Sequence, residues 1–199
     1  MKVIVINGQG GAGKDTFISF CRKETWDIQV QSFSTVDFVK EIAKQCGWKG
    51  EKTQESRRFL SDLKDAMTRY NDRPYYSVLE AIDHLLYELH CYDIPTKNLV
   101  IFIHSREPKD IKRWVENLKA RTLLIHKSSD DIFKNHADRD VYTIDYDYTI
   151  VNNGTLDELK EKALEFIDKV REEDWQSLEY KDIFKMVQEW RFKNDKNDK

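Results

Sequence analysis

The chain has 199 residues, with 33 Lys plus Arg against 36 Asp plus Glu and a formal net charge of −3. So even a balance argues against wholesale binding to nucleic acid, which calls for a concentrated basic surface. Glycine and proline number only seven and three, which excludes a collagen-like, linker-like or low-complexity chain.

A 40 % hydrophobic content with 12 % aromatic residues suits a packed core, and a length near 200 suits one domain with at most a small appendage. No segment approaches the ~18 apolar residues of a membrane span, and the apolar start is too short for a signal peptide. The three cysteines, Cys21, Cys46 and Cys91, form no CxxC pair. Two of them sit in apolar helical patterns, which predicts buried free thiols in a reducing cytoplasm. The expectation is a cytoplasmic protein that binds neither nucleic acid nor membrane.

Residues 2–6 (KVIVI) form a continuous β-branched run, the pattern of a strand buried on both faces. Four of the seven glycines follow at once: Gly8, Gly10, Gly11 and Gly13 fall within six positions. The stretch Gly8-Gln9-Gly10-Gly11-Ala12-Gly13-Lys14-Asp15-Thr16 runs from that strand into a helical pattern over 14–24. This is the setting of a phosphate-binding P-loop. Glycines let the backbone N–H groups turn inward, the helix start adds partial positive charge, and Lys14 reaches the β- and γ-phosphates. Gly8, Gly10, Gly11, Ala12, Gly13, Lys14, Asp15 and Thr16 are therefore the candidate nucleotide-binding residues. The strict motif has Ser or Thr after the lysine; here Asp15 stands there, a hard-oxygen donor able to hold Mg²⁺ with Thr16 beside it.

A second strand is predicted over 28–34, then helical patterns over 36–46 and 53–70. The latter carries Phe59, Leu63, Ala66, Met67 and Tyr70 on one face. Two adjacent arginines separate by spacing: Arg58 has Glu55 and Asp62 within a helical turn, whereas Arg57 has no acid there. An uncommitted arginine can grip a phosphate bidentately. A helix over 75–90 begins after Pro74, a strand covers 98–104, and a helix over 108–119 begins at Pro108. Arg106 lies just past that strand, at the end of the sheet where ligands of open α/β folds bind. Strands over 121–126 and 146–151 follow, with Lys127, Lys134 and Arg139 between them as candidate lid cations. Thr155, with Glu158 three residues on, caps a helix over 155–171. Beyond 172 comes a charged helical tail with Ile183, Phe184, Val187 and Trp190 as an apolar stripe. Such a stripe docks on the core or forms a homodimer contact.

Strand–helix alternation of this kind predicts a three-layer α/β/α P-loop fold with a five-stranded parallel sheet. The expected organisation is a kinase-like domain over 1–171, with a helical acceptor-binding insertion at 48–95 and a lid at 127–142. A C-terminal helix and tail over 172–199 completes it.

The GKDT form of the loop resembles the nucleoside-monophosphate-kinase-like P-loop group, in particular bacteriophage-type deoxynucleoside monophosphate kinases and animal-type phosphomevalonate kinases. Residues 32–41 (SFSTVDFVKE), 101–108 (IFIHSREP) and 145–154 (DYDYTIVNNG) are similar to matching segments of those proteins. The resemblance implies ATP and Mg²⁺ as cofactors and a small phosphorylated acceptor, a (deoxy)nucleoside monophosphate first. It places Asp37 near the acceptor or the metal and Arg106 on the acceptor phosphate; together with the readings above, the candidates are catalytic Lys14, Asp37, Arg106 and Arg139, acceptor-binding Asp37, Arg57 and Arg106, and metal-binding Asp15 and Thr16. Many P-loop kinases end the third strand with a metal-holding aspartate; here the position is His104, and the lid is thin in arginine. A non-nucleotide phosphate kinase and a nucleotide-binding protein without transfer activity therefore stand as alternatives.

Overall fold

A computed structural model describes residues 1–23, 28–128, 141, 143–174 and 178–195. They form two compact units, Met1–Ser32 with Pro95–Leu178, and Phe33–Ile94 with Glu179–Lys199.

The first unit carries the sheet: β1 (Lys2–Asn7), β2 (Gln29–Ser34, whose last two residues lead into the second unit), β3 (Leu99–His104), β4 (Arg121–His126) and β5 (Tyr148–Val151). Their order is β2-β3-β1-β4-β5 in a parallel sheet. β1 lies at the centre, with Ile6 level with both His104 of β3 and Leu123 of β4. Continuous apolar runs in β1, β3 and β4 follow from helices covering both faces. On one face, Ile4, Ile6, Phe102, Leu123 and Ile125 pack with Phe17 and Ile18 of α1 (Lys14–Lys23). They also meet Leu159, Phe166 and Ile167 of α6 (Leu156–Glu172). Phe166 meets Phe17, Phe102 and Tyr148 with ring centroids 5.5, 6.3 and 5.2 Å away. The alternate residues Val3, Val5, Ile101 and Ile103 point to the other face, where α5 (Pro108–Leu118) packs on β1 and β4 and buries Ile111, Trp114 and Leu118. The three-layer α/β expectation holds.

The second unit is helical: α2 (Thr35–Gln45), α3 (Gln54–Asn71), α4 (Arg73–Cys91) and α7 (Tyr180–Asp195). Ser34 caps α2 by accepting from the Val36 N–H, and Thr53 caps α3 through Ser56. α4 is the hub, packing against α2, α3 and α7. Ile183 and Val187 of α7 are fully buried, Trp190 stacks on Tyr76 at 4.7 Å, and Arg191 joins Arg73 on the Glu80 carboxylate. Ile183, Val187 and Trp190 of the C-terminal stripe thus pack within the second unit, where α7 lies on α4, whereas Phe184 stays exposed.

One expectation needs correction. Only Cys21 is buried; Cys46 and Cys91 are exposed, because each closes a helix where the apolar face has run out. α3 buries no residue. Leu63, Met67 and Tyr70 instead line an open cleft of about 530 Å³ with Phe38 and Ile42 of α2.

Candidate functional site: a phosphate cradle at the head of β1

The loop between β1 and α1 is held from both sides. Asn7, fully buried at the end of β1, accepts the Gly8 N–H at 2.7 Å and donates to the Tyr146 hydroxyl at 2.6 Å. That hydroxyl in turn donates to the Val141 carbonyl at 2.7 Å. Asn152, just after β5, donates to the Ala12 carbonyl at 2.8 Å, and its own N–H donates to His126. Two glycines are fixed by this packing. Gly8 has φ +145°, and a Cβ there would overlap the Ile125 carbonyl oxygen. Gly13 has φ +97°, and a Cβ there would sit 2.5 Å from the Asn152 amide nitrogen. Both combine a left-handed backbone with a close approach that only glycine permits.

The loop delivers Lys14 to the first position of α1. Its ammonium folds back over the loop, donating to the Gly8 and Gln9 carbonyls at 2.7 and 2.9 Å. Those acceptors belong to the same loop whose N–H groups would face an anion. The cation is thus stored at the point where phosphate oxygens would replace the carbonyls. The α1 N-terminus adds its dipole to the same spot. Asp15 follows in the first turn with its side chain 96 % exposed, while Thr16 is half-buried.

β3 brings the other residues. The Ser105 N–H donates to Ile6 at 3.3 Å, extending the β1–β3 ladder one residue past the strand. That holds His104 and Arg106 beside the loop. The His104 Nε2 lies 3.7 Å from the Asp15 carboxylate, and the Arg106 guanidinium lies 3.9 Å from where a Cβ of Gly10 would be. The structure therefore gathers the loop residues, Lys14, Asp15, Thr16 and Arg106 into one neighbourhood.

Asp37 and Arg57 belong to the second unit. Asp37 sits in the first turn of α2, 3.5 Å from Lys40, and Ser34 rather than Asp37 is the cap of that helix. Arg57 is exposed near the start of α3, and its neighbour Arg58 pairs with Asp62 at 3.9 Å, as the spacing predicts. The lid residues Lys134 and Arg139 lie outside the described residues, and Lys127 just precedes them. Sequence reasoning overlooked Asn7 and Asn152, the two amides that hold the cradle. A lone asparagine ending an otherwise apolar strand was the available signal for Asn7. Asn152 had none, because its partner is 140 residues away.

The geometry fits a nucleotide's phosphates. The Lys14 ammonium over the loop and the N-terminus of α1 at its end supply the cation and the helix-start donors that a polyphosphate needs. Among the described residues no three His, Cys, Asp or Glu side chains come together as a metal site. A magnesium ion here would draw on Asp15 and Thr16 and complete its shell with phosphate oxygens and water, the usual arrangement for this ion.

No known family model matches the sequence, and no curated protein matches it significantly. Solved structures with a similar arrangement include a shikimate kinase from Aquifex aeolicus, 15 % identical over 84 % of this chain and 97 % of that one, with a TM-score of 0.47. A sugar kinase from a Janibacter species is 16 % identical over 84 % and 95 %, with a TM-score of 0.43. An APS kinase from Mycobacterium tuberculosis is 9 % identical over 84 % and 96 %, with a TM-score of 0.41. Among the described residues no helix is long and apolar enough to cross a membrane.

Proposed function

We propose that this chain is a phosphotransferase that moves the γ-phosphoryl group of ATP to a small acceptor already bearing a phosphate. The observation that carries the reading is the cradle itself: a loop that only glycine can form, between a buried strand and a helix start, with Lys14 folded over it. In the transfer, an acceptor phosphate oxygen bonds to the γ-phosphorus, the bond to the β,γ-bridging oxygen breaks, and ADP leaves. The protein's part is positioning and charge neutralisation. Loop N–H groups bind the donor phosphates, and Lys14 exchanges its loop carbonyls for phosphate oxygens. Arg106, beside Gly10, neutralises charge on the group in flight. Asp15 and Thr16 hold Mg²⁺, which when bound draws electron density from the phosphate oxygens. Asp37 and Arg57 are assigned to the acceptor, and Arg139 and Lys134 to closure over it. A (deoxy)nucleoside monophosphate is the acceptor favoured by the sequence resemblance.

The test is a coupled ADP-release assay with ATP, Mg²⁺ and a panel of nucleoside, deoxynucleoside and non-nucleotide monophosphates. ADP release that depends on one acceptor and is lost in Lys14→Ala supports the proposal. Release with a non-nucleotide phosphate alone supports the kinase and corrects its acceptor. Tight ATP binding without acceptor-dependent turnover would overturn it.

A further inference from the structure

The residue after the P-loop lysine and the residue ending the third strand are both unusual here, and the fold makes them neighbours. P-loop enzymes hold their metal between a Ser or Thr hydroxyl on the loop and an aspartate from a strand. In this chain the loop supplies the carboxylate, Asp15, and β3 supplies an imidazole, His104. The His104 Nε2 and an Asp15 carboxylate oxygen are 3.7 Å apart, both in the first unit. Two adjacent ligands of an octahedral ion with bonds of about 2.1 Å are separated by about 3.0 Å. Asp15 is 96 % exposed and free to swing the remaining distance, while His104 is largely buried, its side chain 21 % exposed, and fixed by the strand.

We infer that His104 is a direct metal ligand, forming with Asp15 a mixed nitrogen–oxygen donor pair at the nucleotide site. This rests on the proposed nucleotide binding, because phosphate oxygens and water must fill the other positions. The donor chemistry has a consequence. Carboxylate and water suit Mg²⁺ and Mn²⁺ alike, whereas an imidazole nitrogen shifts preference toward transition ions. The site therefore selects Mn²⁺ over Mg²⁺ for the metal–nucleotide complex more strongly than a hydroxyl–carboxylate site does. His104 sets that selectivity; Thr16 is left as a supporting hydroxyl.

The experiment uses the full chain with ATP and Mn²⁺, without acceptor. ATP binding is first measured by calorimetry in wild type and Lys14→Ala. Pulsed electron paramagnetic resonance of the bound Mn²⁺ then reads nitrogen couplings, in natural-abundance protein and in protein labelled with ¹⁵N at histidine. The expected result is a directly bonded nitrogen coupling that changes isotope with the histidine label and disappears in His104→Asn. That variant should also bind Mn²⁺–ATP about tenfold more weakly, with Mg²⁺–ATP binding changed less. His104→Gln serves as the second variant should the first fold poorly. Mn²⁺–ATP bound without a histidine coupling, or with one that survives both variants, overturns the inference and leaves the kinase reading standing. Absence of Lys14-dependent ATP binding overturns both.

Discussion

The two ends of the β-sheet in the first unit are built from similar residues and used in opposite ways. At the amino end, Lys2 donates to three carbonyls that close α6, those of Val170, Arg171 and Glu173, at 2.5–2.8 Å. Arg121 binds Tyr148 at 2.7 Å, and both converge on the Glu173 carboxylate. Asp147 accepts from the Thr122 N–H and hydroxyl, both at 2.7 Å. Each of these charges is saturated by fixed partners from a different element, so the cluster ties the end of α6 to the starts of three strands. At the carboxyl end, Lys14 donates to two carbonyls of its own loop, and Asp15 points into solvent. The same chemistry thus acts as a staple between elements at one end and, under the proposed function, as a receptor at the other. Glycine marks the second end, where Gly8 and Gly13 take backbone conformations and close approaches that a side chain would not permit.

This contrast can be broken from either end. The largest effect is expected for Lys14→Ala, which should lower ATP-dependent turnover by about three orders of magnitude. In urea unfolding the same variant should change stability by no more than about 1 kcal/mol. A comparable loss of stability and activity would mean that the carboxyl end is a staple too. Next comes Gly8→Ala, which forces a Cβ against the Ile125 carbonyl in a left-handed backbone. It should cost about 2–3 kcal/mol in urea unfolding, together with ATP affinity. At the amino end, Glu173→Ala leaves Arg121 and Tyr148 without their common acceptor and should cost about 1–2 kcal/mol. ATP affinity by calorimetry should be unchanged.

The smallest effect is a pH dependence. Burial, reinforced by the hydrogen bond to Glu173, pushes the Tyr148 hydroxyl up to about 12 from an ordinary value of 10. Between those values the unfolded chain releases this proton while the folded chain keeps it, so stability falls as pH rises from 10 to 12. Below pH 10 the contribution is complete. Tyr148→Phe should make the unfolding midpoint fall less steeply over that window, and an unchanged slope would show that Tyr148 does not carry it. Cys21, buried beneath α6 and likewise pushed up to about 12, adds a slope of the same sign that persists in this variant.

Much of the cradle was legible because it is local. A buried strand, a glycine-rich turn and a helix start lie within a dozen residues, and backbone conformation over so short a span is set by near neighbours. The caps at Thr53 and Thr155 and the prolines opening α4 and α5 are local for the same reason. On α3, periodicity showed which face is apolar but not whether another element covers it. Likewise the apolar pattern over 36–46 marked the helix that Cys46 closes, not the depth at which that helix ends.

What the sequence determined by itself is therefore the glycine-rich loop between a buried strand and a helix, the alternation of strands and helices, and the presence of Asp15 after Lys14. The tertiary structure decided what surrounds them: His104 against Asp15, Arg106 against Gly10, Asn152 on the Ala12 carbonyl, and α7 packed on α4. These partners are separated by roughly 90 residues or more along the chain. Only the parallel order β2-β3-β1-β4-β5, with β1 central, brings the strand ends to one edge. That order follows from which apolar faces bury one another, a global condition that no local window of sequence contains.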